Sequence, residues 1–155
     1  MKEEELFELR KLAEDCQLEG RSLLCQAPEV VSRICNGIGP SWFPASLRLM
    51  IDAFHPSLKV VAAIHDLWYY YSKGDNEDFL AANRAFRENG VRVARHLYGW
   101  YNPRRYLVEF SAARFARLCD LGGKIAFLAA ITERQRDGEP PIEEIVADMR
   151  EEIAK

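Results

Sequence analysis

The sequence predicts an all-α fold: a single compact multi-helix domain with a central antiparallel helical hairpin. Three observations lead there. Apolar residues recur at three- and four-residue spacing through most of the chain, the signature of helices with one buried face. No stretch alternates apolar and polar residues as a half-buried strand would. The turn and loop signals are short, leaving no room for long irregular segments.

The elements follow in order. Leu6, Leu9, Leu12 and Ala13 share a face in residues 2–19, a first helix that Gly20 ends. Pro28 suits a helix start, and Pro28 to Ile34 adds one or two turns. Cys35 to Pro40, C-N-G-I-G-P, is the clearest loop, because Gly37 and Gly39 permit backbone angles that other residues resist. Pro44 to Phe54 forms another short helix, stopped at His55-Pro56. The hairpin covers residues 57–97: one helix from Ser57 to Ser72, a turn at Gly74 with Asp75 or Asn76 as cap, and a second helix from Glu77 to Leu97. Arg104 to Gln135 continues the helical pattern with a break at Gly122-Gly123. A last helix opens at Pro141 and carries Ile142, Ile145, Val146 and Met149 on one stripe.

Composition narrows the class of protein. At 155 residues the chain is long enough to bury a core without metal or disulfide support, and residues 1–155 read as one domain. Hydrophobic residues make up 48% and charged residues 29%, which excludes general disorder. The net charge of −3 gives no overall pull toward nucleic acid, and no helix-turn-helix, zinc-finger or RRM signature is present, so a nucleic-acid partner is not expected. The four cysteines, Cys16, Cys25, Cys35 and Cys119, have neither disulfide-framework nor zinc-site spacing. The acidic amphipathic start is not a secretory signal, and no apolar run reaches the about 18 residues of a membrane span. A cytoplasmic location, or a place in a phage-related assembly, is the expectation.

The chemistry-bearing constellation is V-V-A-A-I-H-D-L-W-Y-Y-Y, with its turn and the A-A-N-R-A-F that follows. His65 and Asn83 stand nine residues either side of Gly74, so an antiparallel hairpin sets them opposite each other, where Asn83 can fix the imidazole tautomer. An unperturbed histidine titrates near about 6.5 and can act as a general base at neutral pH. The neighbouring carboxylate of Asp66 can hold a hard cation such as Ca²⁺ if other oxygens complete the shell, and the carbonyls of the glycine loop are natural donors.

These pieces resemble the helical hairpin of the phospholipase A2-like family, in particular its bacterial and phage-associated members. C-N-G-I-G-P corresponds to the glycine loop, I-H-D-L-W-Y-Y to the first helix and A-A-N-R-A-F to the second. The likeness spans roughly Cys35 to Asn89, about a third of the chain. It implies that His65 activates a water, that Asp66 with carbonyls at Gly37 and Gly39 holds Ca²⁺, and that Asn83 takes the place of an orienting aspartate. It further implies that Tyr69 or Tyr70 holds that partner. The implied activity is calcium-assisted hydrolysis of a phospholipid or small ester. The alternative is a non-catalytic helical module, structural or protein-binding, that keeps the hairpin for shape in a phage- or prophage-associated setting. Secreted phospholipases A2 flank the His-Asp pair with disulfides, and this sequence does not.

Other residues carry weaker signals. His55 reads as a surface residue before a proline, and His96 sits comfortably near a helix C-terminus. Trp42-Phe43-Pro44 reads as a buried corner. The arginines from Arg84 to Arg117 read as a solvated face paired with acids such as Glu109, the alternative being a phosphate-contacting patch with Arg104-Arg105 for nucleic acid or lipid headgroups. No segment stands out in the sequence as an apolar surface for insertion into lipid.

Overall fold

The computed structural model describes residues 1–35, 55–139 and 141. Among them are six α-helices: α1 (Glu3–Asp15), α2 (Pro28–Ile34), α3 (Lys59–Tyr71), α4 (Asn76–Leu97), α5 (Pro103–Gly122) and α6 (Lys124–Asp137). Single 3₁₀ segments at Arg21–Cys25 and Pro56–Leu58 precede α2 and α3, and no strand occurs among the described residues. The expected loop at Gly37 and Gly39, the helix from Pro44 and the helix from Pro141 lie outside the described residues.

Helix α3 is the centre of the molecule. Nearly every one of its residues from Val60 to Tyr71 is buried, so it is apolar all round, as a helix surrounded by others must be. Helices α1, α2, α4 and α6 and the 3₁₀ segment before α2 all pack on it. Helix α4 is amphipathic, and it turns Phe79, Ala82, Phe86, Val93 and Ala94 inward.

The connection between α3 and α4 is built from local chemistry. Gly74 adopts φ +101°, a left-handed conformation that a side chain would strain. Asp75 caps α4 by accepting from the Asp78 amide at 2.7 Å. Asp78 accepts from Ser72 Oγ at 3.0 Å and from the Lys73 amide at 2.9 Å, closing the turn from its other side. Contacts then run outward in opposite directions along the two helices: Ser72 with Asp78, His65 with Asn83, and Leu58 against Gly90.

Helix α5 lies against α4 and packs tightly on it at Gly90, where an added Cβ would stand 2.3 Å from Ala112 Cβ. Asn89 secures the other side of α4: its side-chain oxygen accepts from the Glu19 amide and its nitrogen donates to the Glu19 carbonyl, both at 2.9 Å. Arg33 of α2 pairs with Asp137 at the end of α6 at 2.8 Å, and Tyr70 donates to the same carboxylate at 2.9 Å.

Two expectations change in detail. The first helix ends at Asp15 rather than at residue 19; the chain turns through Gln17, at φ 50°, before it reaches Gly20. The pattern from Arg104 to Gln135 breaks at Gly123 as expected, giving α5 and α6. His55 is half-buried, edge-on to Phe115 and 3.4 Å from Ser111 Oγ, so it is no surface residue. All four cysteines are free.

Candidate active site

His65 and Asp66 occupy consecutive positions in the middle of α3, about 100° apart around the helix. His65 therefore faces the α4 side while Asp66 keeps part of its side chain in solvent, 7% and 31% exposed respectively. Across from it, Asn83 Oδ1 lies 3.0 Å from His65 Nε2. The Tyr69 hydroxyl, one turn along α3 from His65, donates to the same Oδ1 at 2.6 Å. Asn83 Nδ2 in turn donates to Asp120 Oδ1 of α5 at 2.8 Å.

This chain of bonds determines where the proton sits. A carboxylate only accepts, so Asp120 obliges Asn83 to present its amide nitrogen outward and its oxygen inward. An oxygen facing the ring can only accept, so Nε2 of His65 carries a hydrogen. The other ring nitrogen, Nδ1, is left as the basic atom of the neutral ring, and it lies 3.9 Å from Asp66 Oδ1. Asparagine cannot bring a charge of its own, but it transmits the orienting effect of a carboxylate one residue further out.

The electrostatics correct one expectation. Burial opposes the charged ring, yet the Asp66 carboxylate and the Cys119 side chain outweigh it, and His65 is pushed up to about 10. At neutral pH the ring is thus an imidazolium beside Asp66 rather than the half-titrated base expected of a free histidine. The Tyr69 hydroxyl is pushed far up by burial and by the nearby Cys119, Asp120 and Asp66, so it stays protonated and donates to Asn83 Oδ1.

Aromatic rings close the site. His65 stacks at a tilt on Tyr69, with centroids 4.1 Å apart, and meets Phe86 edge-on at 5.3 Å. Phe127 of α6 sits edge-on to Tyr69 at 5.1 Å. Gly123, at the joint of α5 and α6, leaves room for the tyrosine: an added Cβ would fall 2.9 Å from its hydroxyl.

Of the residues singled out in the sequence, His65, Asn83 and Tyr69 are brought together and Asp66 adjoins them. Tyr70 does not join: its hydroxyl points to Asp137 and accepts from Arg33 at 3.2 Å. Gly37 and Gly39 lie outside the described residues. Asp66 is a hard oxygen donor of the kind calcium takes, but one carboxylate is far short of the six to eight oxygens of such a site. Among the described residues no three His, Cys, Asp or Glu side chains converge as metal ligands. Asp120 and Cys119 were not foreseen; R-L-C-D-L-G-G shows neither motif nor spacing that ties it to the hairpin.

Comparison with protein-family models, with curated proteins and with solved structures finds no match to this chain. The site's own geometry therefore carries the functional conclusion.

Proposed function

We propose that the chain is a calcium-assisted hydrolase of ester substrates, phospholipid-like in class, with His65 as general base. The observation that supports this most is the fixed tautomer: the Asp120–Asn83–Tyr69 network holds Nε2–H and reserves Nδ1 for proton transfer beside Asp66. With the ring neutral, the state that prevails only above pH about 10 in the metal-free protein, Nδ1 takes a proton from water as the oxygen attacks the ester carbonyl. Asn83 Oδ1 then steadies the imidazolium through its Nε2–H, as an orienting partner does for a catalytic histidine. The protonated ring afterwards returns the proton to the departing alkoxide. Asp66, with the carbonyls of Gly37 and Gly39, would hold a calcium ion whose charge stabilises the oxyanion.

Burial of the ring favours a second reading. His65 is 7% exposed and packed against Tyr69 and Phe86. That is how a polar clamp would sit in a non-catalytic helical module retained for shape or for binding a protein.

Turnover separates the two. With a short-chain ester and with phospholipid, the wild type should show calcium-dependent hydrolysis that chelator removes. His65→Ala should lower it by about 10²- to 10⁴-fold, the usual contribution of a general base. Asn83→Asp places a carboxylate directly on the ring but also against Asp120, which accepts from the Asn83 amide at 2.8 Å, so it should keep activity only where the two carboxylates share a proton. No His65-dependent turnover in either protein leaves the module reading and sets the hydrolase aside.

A further inference from the structure

Helix α5 turns an unusual face to solvent. Leu107, Phe110, Leu118 and Leu121 are 56, 59, 56 and 77% exposed. At 100° per residue these four fall within one stripe about 80° wide. Arg114 projects from the middle of it, 5.5 Å from the Phe110 ring centroid, and Arg104 and Arg117 flank it on either side. No acidic residue shares that half of the helix. Glu109 and Asp120 lie around the other side, engaged with Arg95 and Arg105 and with Asn83. The loop leading into α5 adds Trp100, 73% exposed, which the Tyr106 hydroxyl ties to the helix by donating to its carbonyl at 2.7 Å.

We propose that this face docks on the surface of an anionic lipid bilayer, with the apolar stripe entering the headgroup boundary and the arginines meeting lipid phosphates. An exposed apolar stripe of this size marks an interaction surface. Its charges select the occupant. Two copies stacked face to face would bring arginines together with no acid to answer them, whereas an anionic bilayer complements every charge on the face. An amphipathic helix with basic residues and an aromatic at its edge is the chemistry of interfacial binding. Among the described residues no helix is long and apolar enough to cross a membrane, so docking is peripheral. The proposal stands on the exposure and charge of α5 alone. If the site is a hydrolase of phospholipid, the same face would bring it to its substrate.

The full chain should be sedimented with phosphatidylcholine vesicles, with and without phosphatidylglycerol, and Trp100 emission followed through comparison with Trp100→Phe. Binding should require the anionic lipid, weaken in high salt and shift Trp100 emission to the blue. Substituting Arg104, Arg114 and Arg117 by Gln should weaken it by roughly fivefold per residue, the value of one basic side chain at such a surface. Leu107→Asn with Leu121→Asn, at exposed positions where the fold has little at stake, should reduce it more than tenfold while turnover of a soluble short-chain ester is kept. His65→Ala should bind like wild type, so a failed hydrolase leaves the docking result readable. No pelleting with anionic vesicles overturns the proposal. So does pelleting that the leucine substitutions leave unchanged, or self-association abolished by those substitutions without vesicle binding.

Discussion

At the scale of single residues, the site is governed by which atoms can only accept. Asp120 decides the orientation of Asn83, Asn83 decides the tautomer of His65, and Tyr69 adds a second donor to the same oxygen. The two measurable histidines of the interior should titrate in opposite directions. His55 is held below its ordinary value by burial. His65 should keep its second proton through neutrality and release it at about 10. A heteronuclear NMR titration of the metal-free protein reads both. Asp66→Asn should bring the His65 midpoint down, since burial, which opposes charge, would then lack its chief counterweight. An unchanged midpoint would mean that Asp66 is not what holds the proton. Gly123→Ala should also disturb the site from a distance, because its methyl would press on the Cys119 carbonyl and on the Tyr69 hydroxyl; the observable is a shifted Asn83 side-chain amide resonance.

At the scale of elements, close approach and capping matter more than helix propensity. Alanine normally improves a helix over glycine by about 1 kcal/mol. At Gly90 the sign should reverse, because the methyl would meet Ala112 Cβ across the α4–α5 contact. Overpacking of this kind costs about 1–3 kcal/mol, so Gly90→Ala should lower the urea midpoint. Asp75→Ala should cost about 0.5–2 kcal/mol through loss of the bond to the Asp78 amide, with no effect on the His65 tautomer. The Asp78 carboxylate, five residues before Asn83, accepts from Ser72 and Lys73 and so holds the turn. Much of this was readable beforehand. The start of α2 at Pro28, the turn at Gly74 and the cap at Asp75 each follow from one residue's backbone preference and its immediate neighbours. The end of α1 was not readable, since nothing in Cys16-Gln17-Leu18 is a conventional stop signal.

At the scale of the molecule, sequence separation sets what could be seen. His65, Tyr69 and Asn83 belong to adjoining helices, and periodicity alone brings them near one another. Asp120 is 37 residues from Asn83 and arrives only because α5 packs on α4, a tertiary fact that no local pattern encodes. The exposed stripe of α5 was hidden for a related reason. Its leucines recur at the spacing of a core face, and only the packing of Val108, Ala112 and Ala116 on the opposite side shows that they point outward. The central claim is that the Asp120–Asn83 relay makes Nδ1 of His65 the base. It is tested most directly by long-range ¹H–¹⁵N correlation spectra of the neutral ring, recorded above the pH at which His65 gives up its second proton. The account predicts a protonated, pyrrole-like Nε2 and a bare, pyridine-like Nδ1, reversed or mixed on Asn83→Leu. A proton on Nδ1 in the wild type would contradict it.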